Sequence, residues 1–261
     1  MAARAIWKGE LKLGTHKLPV KLFSAIEDKS VRFHILDKTK RHRVKQHMIE
    51  PDTGEEVPNE EIRKGYEVEP GRFVILDEDE LESLKPKASR DIEVTEFISV
   101  DGIPQQFYER AYYLAPDGDS ANYFALAQAL ENEKSEGIAH WVMRNKTYTG
   151  ALGAKDGYLV LSTLRNEGEV INADELPKPA GRAPTKKELE LAKHLVSLLE
   201  GEFDPKDYRD EYRERVMEYI AKKAKGKAPR LAAVKTKRKT TSLDSVLAKS
   251  IASLKKGKRA A

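Results

Sequence analysis

The densest chemistry in the sequence is cationic. Lys38-Thr39-Lys40-Arg41-His42-Arg43-Val44-Lys45 places five Lys and Arg residues in eight positions with no acid among them. A duplex presents phosphates at dense, regular spacing, and neutralising them releases counterions, so a cluster of this kind binds strongly while reading no base sequence. A solvated charged loop is the competing reading. Further phosphate-binding candidates are Arg32, Arg63 and Lys64 ahead of Gly65, Arg144 and Lys146 at a strand end, and Arg165 after Leu164. His34, between Arg32 and Leu36, suits either partial burial or a phosphate contact.

Other chemistry is largely excluded. The sequence has no G-x-x-x-x-G-K-[ST] phosphate loop, no G-x-G-x-x-G, no H-E-x-x-H and no G-x-S-x-G. With 43 Asp and Glu residues, close carboxylate pairs are guaranteed and carry no weight for hydrolase chemistry. His42 and His47 share a stretch with Glu50 and Asp52, but a loop histidine at such spacing is ordinarily solvated or hydrogen-bonded, and no metal site is expected. His140, alternating with Ile138, Val142 and Arg144, reads as a satisfied strand residue, and Trp7 and Trp141 read as core anchors rather than base-stacking platforms. No cofactor is implied. An Asp or Glu hydrolase is the enzymatic rival, and it lacks a coherent motif.

Charge is unevenly distributed. Fourteen of the 47 Lys and Arg residues but only one of the 43 acids, Asp244, fall in residues 222–261, so the net +4 divides into +13 for that stretch and −9 for the rest. Such a block self-repels and builds no core; it is a solvated arm or one that lies along a polyanion, with Lys235, Lys237, Arg238 and Lys239 as DNA-binding candidates. A membrane surface is disfavoured because the tail has little bulky apolar face. No run of about 18 apolar residues is present and the first 25 residues alternate charge with hydrophobe, so a cytoplasmic protein without a membrane span or secretory signal is expected. The absence of cysteine removes disulfides and thiolate chemistry.

The elements that must position these groups read as a barrel or sandwich followed by helices. Trp7, Gly9, Leu11 and Leu13 alternate with charged residues, Gly14 to Lys17 turns the chain, and Leu18, Val20 and Leu22 resume a period of two, which is an amphipathic hairpin. Val31, Phe33 and Ile35 predict a third strand. Further strands are expected at 73–76, 92–100, 111–114, 138–146 and 158–164, with short helices at 79–84 and 122–131, the second with Phe124, Ala127 and Leu130 on one side. The charged stretch 38–70 reads as long, partly extended connections. Pro177 to Gly181 ends the strand pattern. Thr185 and Glu188 form a capping box for a helix ending near Gly201, and Asp204 and Pro205 start a second helix with the stripe Tyr208, Tyr212, Val216, Tyr219, Ile220. These helices must pack on their own barrel, on a second subunit or on another protein.

Several strings in order resemble one family. Arg4-Ala5-Ile6-Trp7-Lys8-Gly9, Pro19 to Ala25, Val31 to His34, Gly54 to Pro58, Lys64 to Glu67, Ile92 to Phe97, Tyr112 to Pro116 and Val142 to Lys146 closely resemble the bacterial Ku proteins, in register to about residue 225. Many members of that family carry Cys-x-x-Cys where this chain reads Gln46 to Gly54, so the metal knuckle is not implied here. The resemblance implies a mainly β fold with helices: a Ku-type β-barrel core with a DNA-encircling loop and dimer interface over residues 1–177, a helical partner-docking segment over 178–226, and a basic DNA-binding tail over 227–261. It also implies a non-enzymatic homodimeric ring that threads onto double-stranded DNA ends in non-homologous end joining. An ATP-dependent DNA ligase of the ligase D type would be recruited through Tyr208, Tyr212 and Val216. An RNA-binding or nucleoid-coating protein without end preference is the remaining alternative.

Overall fold

A computed structural model describes residues 4–118, 120–178 and 180–226. The chain divides into two units, one of Met1–Lys29 with His34–Glu175 and one of Ser30–Phe33 with Leu176–Ala261.

The first unit is built on a closed seven-strand barrel. Strands β1 (Trp7–Leu13) and β2 (His16–Ser24) pair antiparallel across a two-residue turn whose first position, Gly14, has φ 60°. That conformation suits glycine and matches the twist of a hairpin. Leu11, Leu18, Val20 and Leu22 are buried, as their period of two requires. A two-stranded ribbon, β3 (Lys64–Glu69) and β4 (Arg72–Leu76), and the short helix α1 (Glu78–Ser83) stand apart from the barrel sheet. The remaining barrel strands are β5 (Asp91–Ser99), β6 (Tyr108–Pro116), β7 (Ser135–Met143), β8 (Lys146–Lys155) and β9 (Tyr158–Leu164), with helix α2 (Ala121–Glu133) between β6 and β7.

The strand order is β1-β2-β6-β9-β8-β7-β5, and the barrel closes where β5 returns to β1. That closing pair is parallel, with Leu11 opposite Ile92, whereas the other pairs are antiparallel. Helix α2 packs on β7, β8 and β9 and adds Tyr123, Ala127 and Leu130 to the core formed by Leu11, Val20, Leu22, Ile92, Leu114, Trp141, Leu152, Leu159 and Leu161. Tyr123 is wholly buried, and its hydroxyl donates to the Leu114 carbonyl at 2.5 Å and accepts the Leu159 N–H at 2.8 Å. A buried phenol is tolerated because both partners are present.

Several expectations are corrected. Residues 31–35 form no strand, and Phe33 and Ile35 are exposed. Both edges of β2 are already taken, by β1 and β6, so an alternating segment after it has no edge there on which to pair. The buried face of α2 carries Tyr123 rather than Phe124, which is exposed. The single strand expected at 138–146 is instead the end of β7, a turn at Arg144-Asn145 with φ 51° and 62°, and the first residue of β8. Strand β8 itself escaped the pattern because Gly150, Ala151, Leu152 and Gly153 are all buried, erasing the alternation.

The helical unit contains α3 (Lys186–Leu198) and α4 (Glu211–Ala224). Thr185 caps α3, with the expected reciprocal bonds to Glu188, and Arg182 grips the Glu188 carboxylate through two nitrogens at 2.8 and 2.5 Å. The guanidinium, with the Thr185 N–H and hydroxyl, draws the Glu188 pKa down to about 2. Asp204 and Pro205 open only a 3-10 turn, Pro205–Asp207; the long helix starts later, where Asp210 accepts the Arg213 N–H.

Candidate nucleic-acid interface

The five clustered cations sit on a tight hairpin. Asp37 is its anchor: its carboxylate accepts the N–H groups of Thr39 at 2.8 Å and Lys40 at 2.5 Å, its carbonyl accepts the Arg41 N–H, and its own N–H donates to the His42 carbonyl. Such an Asx turn is a local device that needs no buried core. Leu36 bridges Arg43, and the Val44 N–H donates to the Ile35 carbonyl, closing the stem. Arg41 at the tip holds φ 57°, a region that costs a residue with a β-carbon about 1 kcal/mol or more. Lys38, Lys40, Arg41, Arg43 and Lys45 are all exposed, and none lies within ion-pair distance of an acid among the described residues. Unpaired cations on an ordered support are what a phosphate backbone needs.

The other candidates fall into two groups. Arg144 lies in the β7–β8 turn and Lys146 follows it as the first residue of β8; both are exposed, with the Lys146 ammonium 5.4 Å from the centre of the Tyr148 ring, and Lys64 is exposed at the start of β3. Arg63 and Arg165 are instead engaged by the protein. Arg63 donates to the carbonyls of Glu60 at 2.6 Å and Ile62 at 3.1 Å and approaches Asp77 at 3.4 Å. Arg165 donates to the carbonyls of Gln106 at 2.8 Å and Tyr108 at 2.5 Å. A guanidinium matched to carbonyls a few residues or a whole strand away is not visible in sequence. Arg32 belongs to the helical unit rather than to the barrel unit that carries the other described candidates. Lys235, Lys237, Arg238 and Lys239 lie outside the described residues.

The lysines of the first hairpin, in contrast, are neutralised. Asp117 holds Lys8 at 3.0 Å and Lys21 at 2.6 Å, Asp91 holds Lys12 at 2.6 Å, and Glu10 holds Lys17 at 3.1 Å. The bonds from Lys12 to Asp91 and from Lys21 to Asp117 lower both aspartate pKa values, and the Lys12 pKa is raised in turn. These pairs brace β1 and β2 against β5 and the end of β6, a role hidden from sequence because Asp91 and Asp117 are distant along the chain.

No group of three His, Cys, Asp or Glu residues could hold a metal ion among the described residues. His47 is hydrogen-bonded to Glu56 beside a second small hairpin in which Ile49 bridges Glu56. Glu50 accepts the N–H groups of Thr53 and Asp52, and the Thr53 hydroxyl first, then these N–H groups, lower its pKa. His140 bonds Thr149 across the β7–β8 pair at 3.1 Å, and Trp141 is buried and stacked on Tyr148 at 5.4 Å.

Exposed apolar surface among the described residues includes the β3–β4 ribbon and α4. On the β3–β4 ribbon Tyr66, Val68, Phe73, Val74 and Ile75 are all exposed, which leaves both faces of the ribbon open to solvent. On α4, Tyr212 and Val216 share a face with Tyr219 and Ile220, whereas Tyr208 precedes the helix and stacks on Phe203 at 5.0 Å.

A family model described as "Ku70/Ku80 beta-barrel domain" matches residues 12–191. The "Non-homologous end joining protein Ku" of Anaeromyxobacter sp. (strain K) is 40% identical over 228 residues, covering 87% of this chain and 77% of that protein. The "Non-homologous end joining protein Ku 2" of Geotalea uraniireducens is 38% identical over 226 residues, covering 87% and 88%. In Archaeoglobus fulgidus the protein of the first name is 34% identical over 226 residues, covering 86% and 89%.

Proposed function

Since the chain belongs to the Ku family, we propose that it binds the ends of double-stranded DNA without reading their sequence, as a ring of two copies, in repair of double-strand breaks by non-homologous end joining. The family is non-enzymatic, and the function rests on binding alone. The observation that carries the reading is the hairpin of Lys38, Lys40, Arg41, Arg43 and Lys45, cations without acidic partners on an ordered support in a body whose net charge is −9. The field that matters to a duplex is the local one, so an acidic exterior and a basic strip are compatible.

The exposed ribbon supports the second copy. A two-stranded ribbon with apolar residues on both faces is marginal by itself, and a symmetric partner would cover it. Residues 1–177 are the DNA-binding and dimerising part in this reading, 178–226 the docking part for an ATP-dependent DNA ligase of the ligase D type, and 227–261 a basic arm that prolongs residence on DNA. Tyr208, Tyr212 and Val216 remain candidate ligase contacts on chemical grounds, as exposed or half-exposed apolar groups. A cytoplasmic site beside the nucleoid fits the same reading, and no helix among the described residues is long and apolar enough to cross a membrane.

The deciding experiment is a gel-shift competition between linear and covalently closed circular duplexes of one sequence. A threaded ring prefers the linear form because the circle offers no entry. Equal competition would instead support a nucleoid-coating protein without end preference. Light scattering tests the ring, with twice the chain mass expected in the absence of DNA.

A further inference from the structure

The barrel has two unlike ends. At one, helix α2 connects Pro116, the last residue of β6, to Ser135, the first of β7, and lends Tyr123, Ala127 and Leu130 to the core. At the other, β2 stops at Ser24, β5 starts at Asp91, and Arg144-Asn145 turn β7 into β8. Residues 25–90, which include the Lys38–Lys45 hairpin and the β3–β4 ribbon, therefore leave the barrel and return to it at one end. β2 and β5 lie on either side of β1, so the two feet of this 66-residue insertion stand about 10 Å apart, two strand spacings. A loop that closes over a duplex holds it against the surface that carries its feet.

That surface is cationic. Arg90 precedes Ile92, Arg110 precedes Tyr112 and Lys146 precedes Tyr148, each by two residues. Given a strand period of two, each cation shares the inward side of a residue in or packed on the core, yet lies beyond the last covered position, on the barrel rim. The Arg110 guanidinium is accordingly 5.8 Å from the centre of the Tyr112 ring, as Lys146 is close to Tyr148. The Arg90 carbonyl accepts the Glu10 N–H at 2.8 Å, which fixes its backbone beside β1. Arg144 lies in the adjoining turn. All four cations are exposed, and none lies within ion-pair distance of an acid among the described residues. The neighbouring Glu109 accepts from the Thr163 hydroxyl at 3.3 Å. Arg90 and Arg110 are isolated cations in the sequence, and only the closure of the barrel gathers them with Arg144 and Lys146.

We infer that the duplex lies across the end of the barrel from which the insertion springs, and that Arg90 and Arg110 join Arg144 and Lys146 there as phosphate contacts. The inference rests on the end-binding reading and adds to it which end of the barrel meets DNA. The end covered by α2 faces away.

Paired variants of equal charge test the placement. Arg90→Gln/Arg110→Gln removes two exposed cations from the insertion-bearing end, and Lys134→Gln/Lys155→Gln removes two exposed cations from the end covered by α2. The first pair is expected to weaken linear-duplex binding about tenfold at low salt and to lower the log–log salt slope by about two, while the second leaves both unchanged. Equal effects of the two pairs, or no effect of the first, would overturn the inference. Because the chain has no cysteine, a second measurement reads contact directly. Alkylation of Arg110→Cys by a maleimide is expected to slow about tenfold when a linear duplex is added, and that of Lys155→Cys to stay the same. Equal protection at both positions, or none at 110, would overturn it as well. If the wild-type protein shows no preference for linear over closed circular DNA, the ring itself is overturned; if that preference stands and the two pairs behave alike, only the placement is.

Discussion

The buried hydroxyl of Tyr123 accepts the backbone N–H of Leu159 while donating to the carbonyl of Leu114, so one α2 side chain ties together the neighbouring strands β6 and β9. Replacing it with Phe keeps the ring but leaves a buried N–H and a buried C=O without that partner. Tyr123→Phe is expected to lower unfolding stability by about 1–3 kcal/mol, read as a shift in the denaturant midpoint with unchanged slope. A loss below a few tenths of a kcal/mol would show that the strands recover these bonds by themselves.

Gly150 tests the barrel interior in the opposite sense. A β-carbon there would sit 2.5 Å from the Ser162 carbonyl oxygen and 2.7 Å from the Trp141 ring. Gly150→Ala is expected to cost about 1–3 kcal/mol through overpacking and to disturb the near-ultraviolet dichroism of Trp141.

The hairpin cations can be removed without removing the hairpin. Arg41→Gly suits the left-handed backbone at that position, and its Asp37-anchored turn is expected to persist. Lys40→Glu, Arg41→Glu and Arg43→Glu together are expected to weaken linear-duplex binding equally for unrelated sequences and to flatten the salt dependence. Arg41→Gly should weaken it less and reduce the log–log salt slope by about one. Unchanged affinity and slope in both folded variants would mean that this hairpin faces away from DNA.

Truncation after Gly226 tests the proposed ring without its tail. It removes Lys227, Arg230, Lys235, Lys237, Arg238, Lys239, Lys249, Lys255, Lys256, Lys258 and Arg259 while leaving both units' described elements intact. Overall affinity is expected to fall, most clearly at low salt, while preference for linear over closed circular DNA survives. Loss of that preference, with circular dichroism unchanged, would assign end recognition to the tail.

The cap of α3 gives a pH dependence with a definite sign. Glu188 has a folded pKa of about 2 against an ordinary 4.5, held down first by Arg182 and then by Thr185. Its contribution is therefore complete above about pH 4.5 and lost as the pH falls through 2. The amides of Glu188 and Leu189 are expected to lose exchange protection over that interval. In Glu188→Gln the protection should be lower at neutral pH and flat across the same window.

Local signals in the sequence were good guides wherever one face of an element is wet. The alternation of Leu18, Val20 and Leu22, the strand at Tyr158–Leu164 and the Thr185–Glu188 capping box all read directly from composition. The readings that failed depend on partners far along the chain. Phe33 and Ile35 alternate like a strand, but neither edge of β2 was left to pair with them. Gly150 to Gly153 lose their alternation because they are covered on both sides. At the candidate interface, sequence placed the Lys38 to Lys45 cluster but could not distinguish its unpaired cations from Arg165, whose carbonyl partners Gln106 and Tyr108 are fixed only by the tertiary fold, or from Arg63, whose partners are the nearby carbonyls of Glu60 and Ile62.

The barrel order has a consequence for how the chain is made. β9 is the last of the barrel strands in sequence yet lies between β6 and β8, and the parallel seam between β1 and β5 joins segments about 80 residues apart. During synthesis the sheet therefore keeps open edges until residue 164 has left the ribosome, and until then β6 and β8 have no strand between them. Nascent chains stalled before Tyr158 should accordingly be chaperone clients and protease substrates, whereas chains stalled well beyond Leu164 should resist digestion as a closed unit.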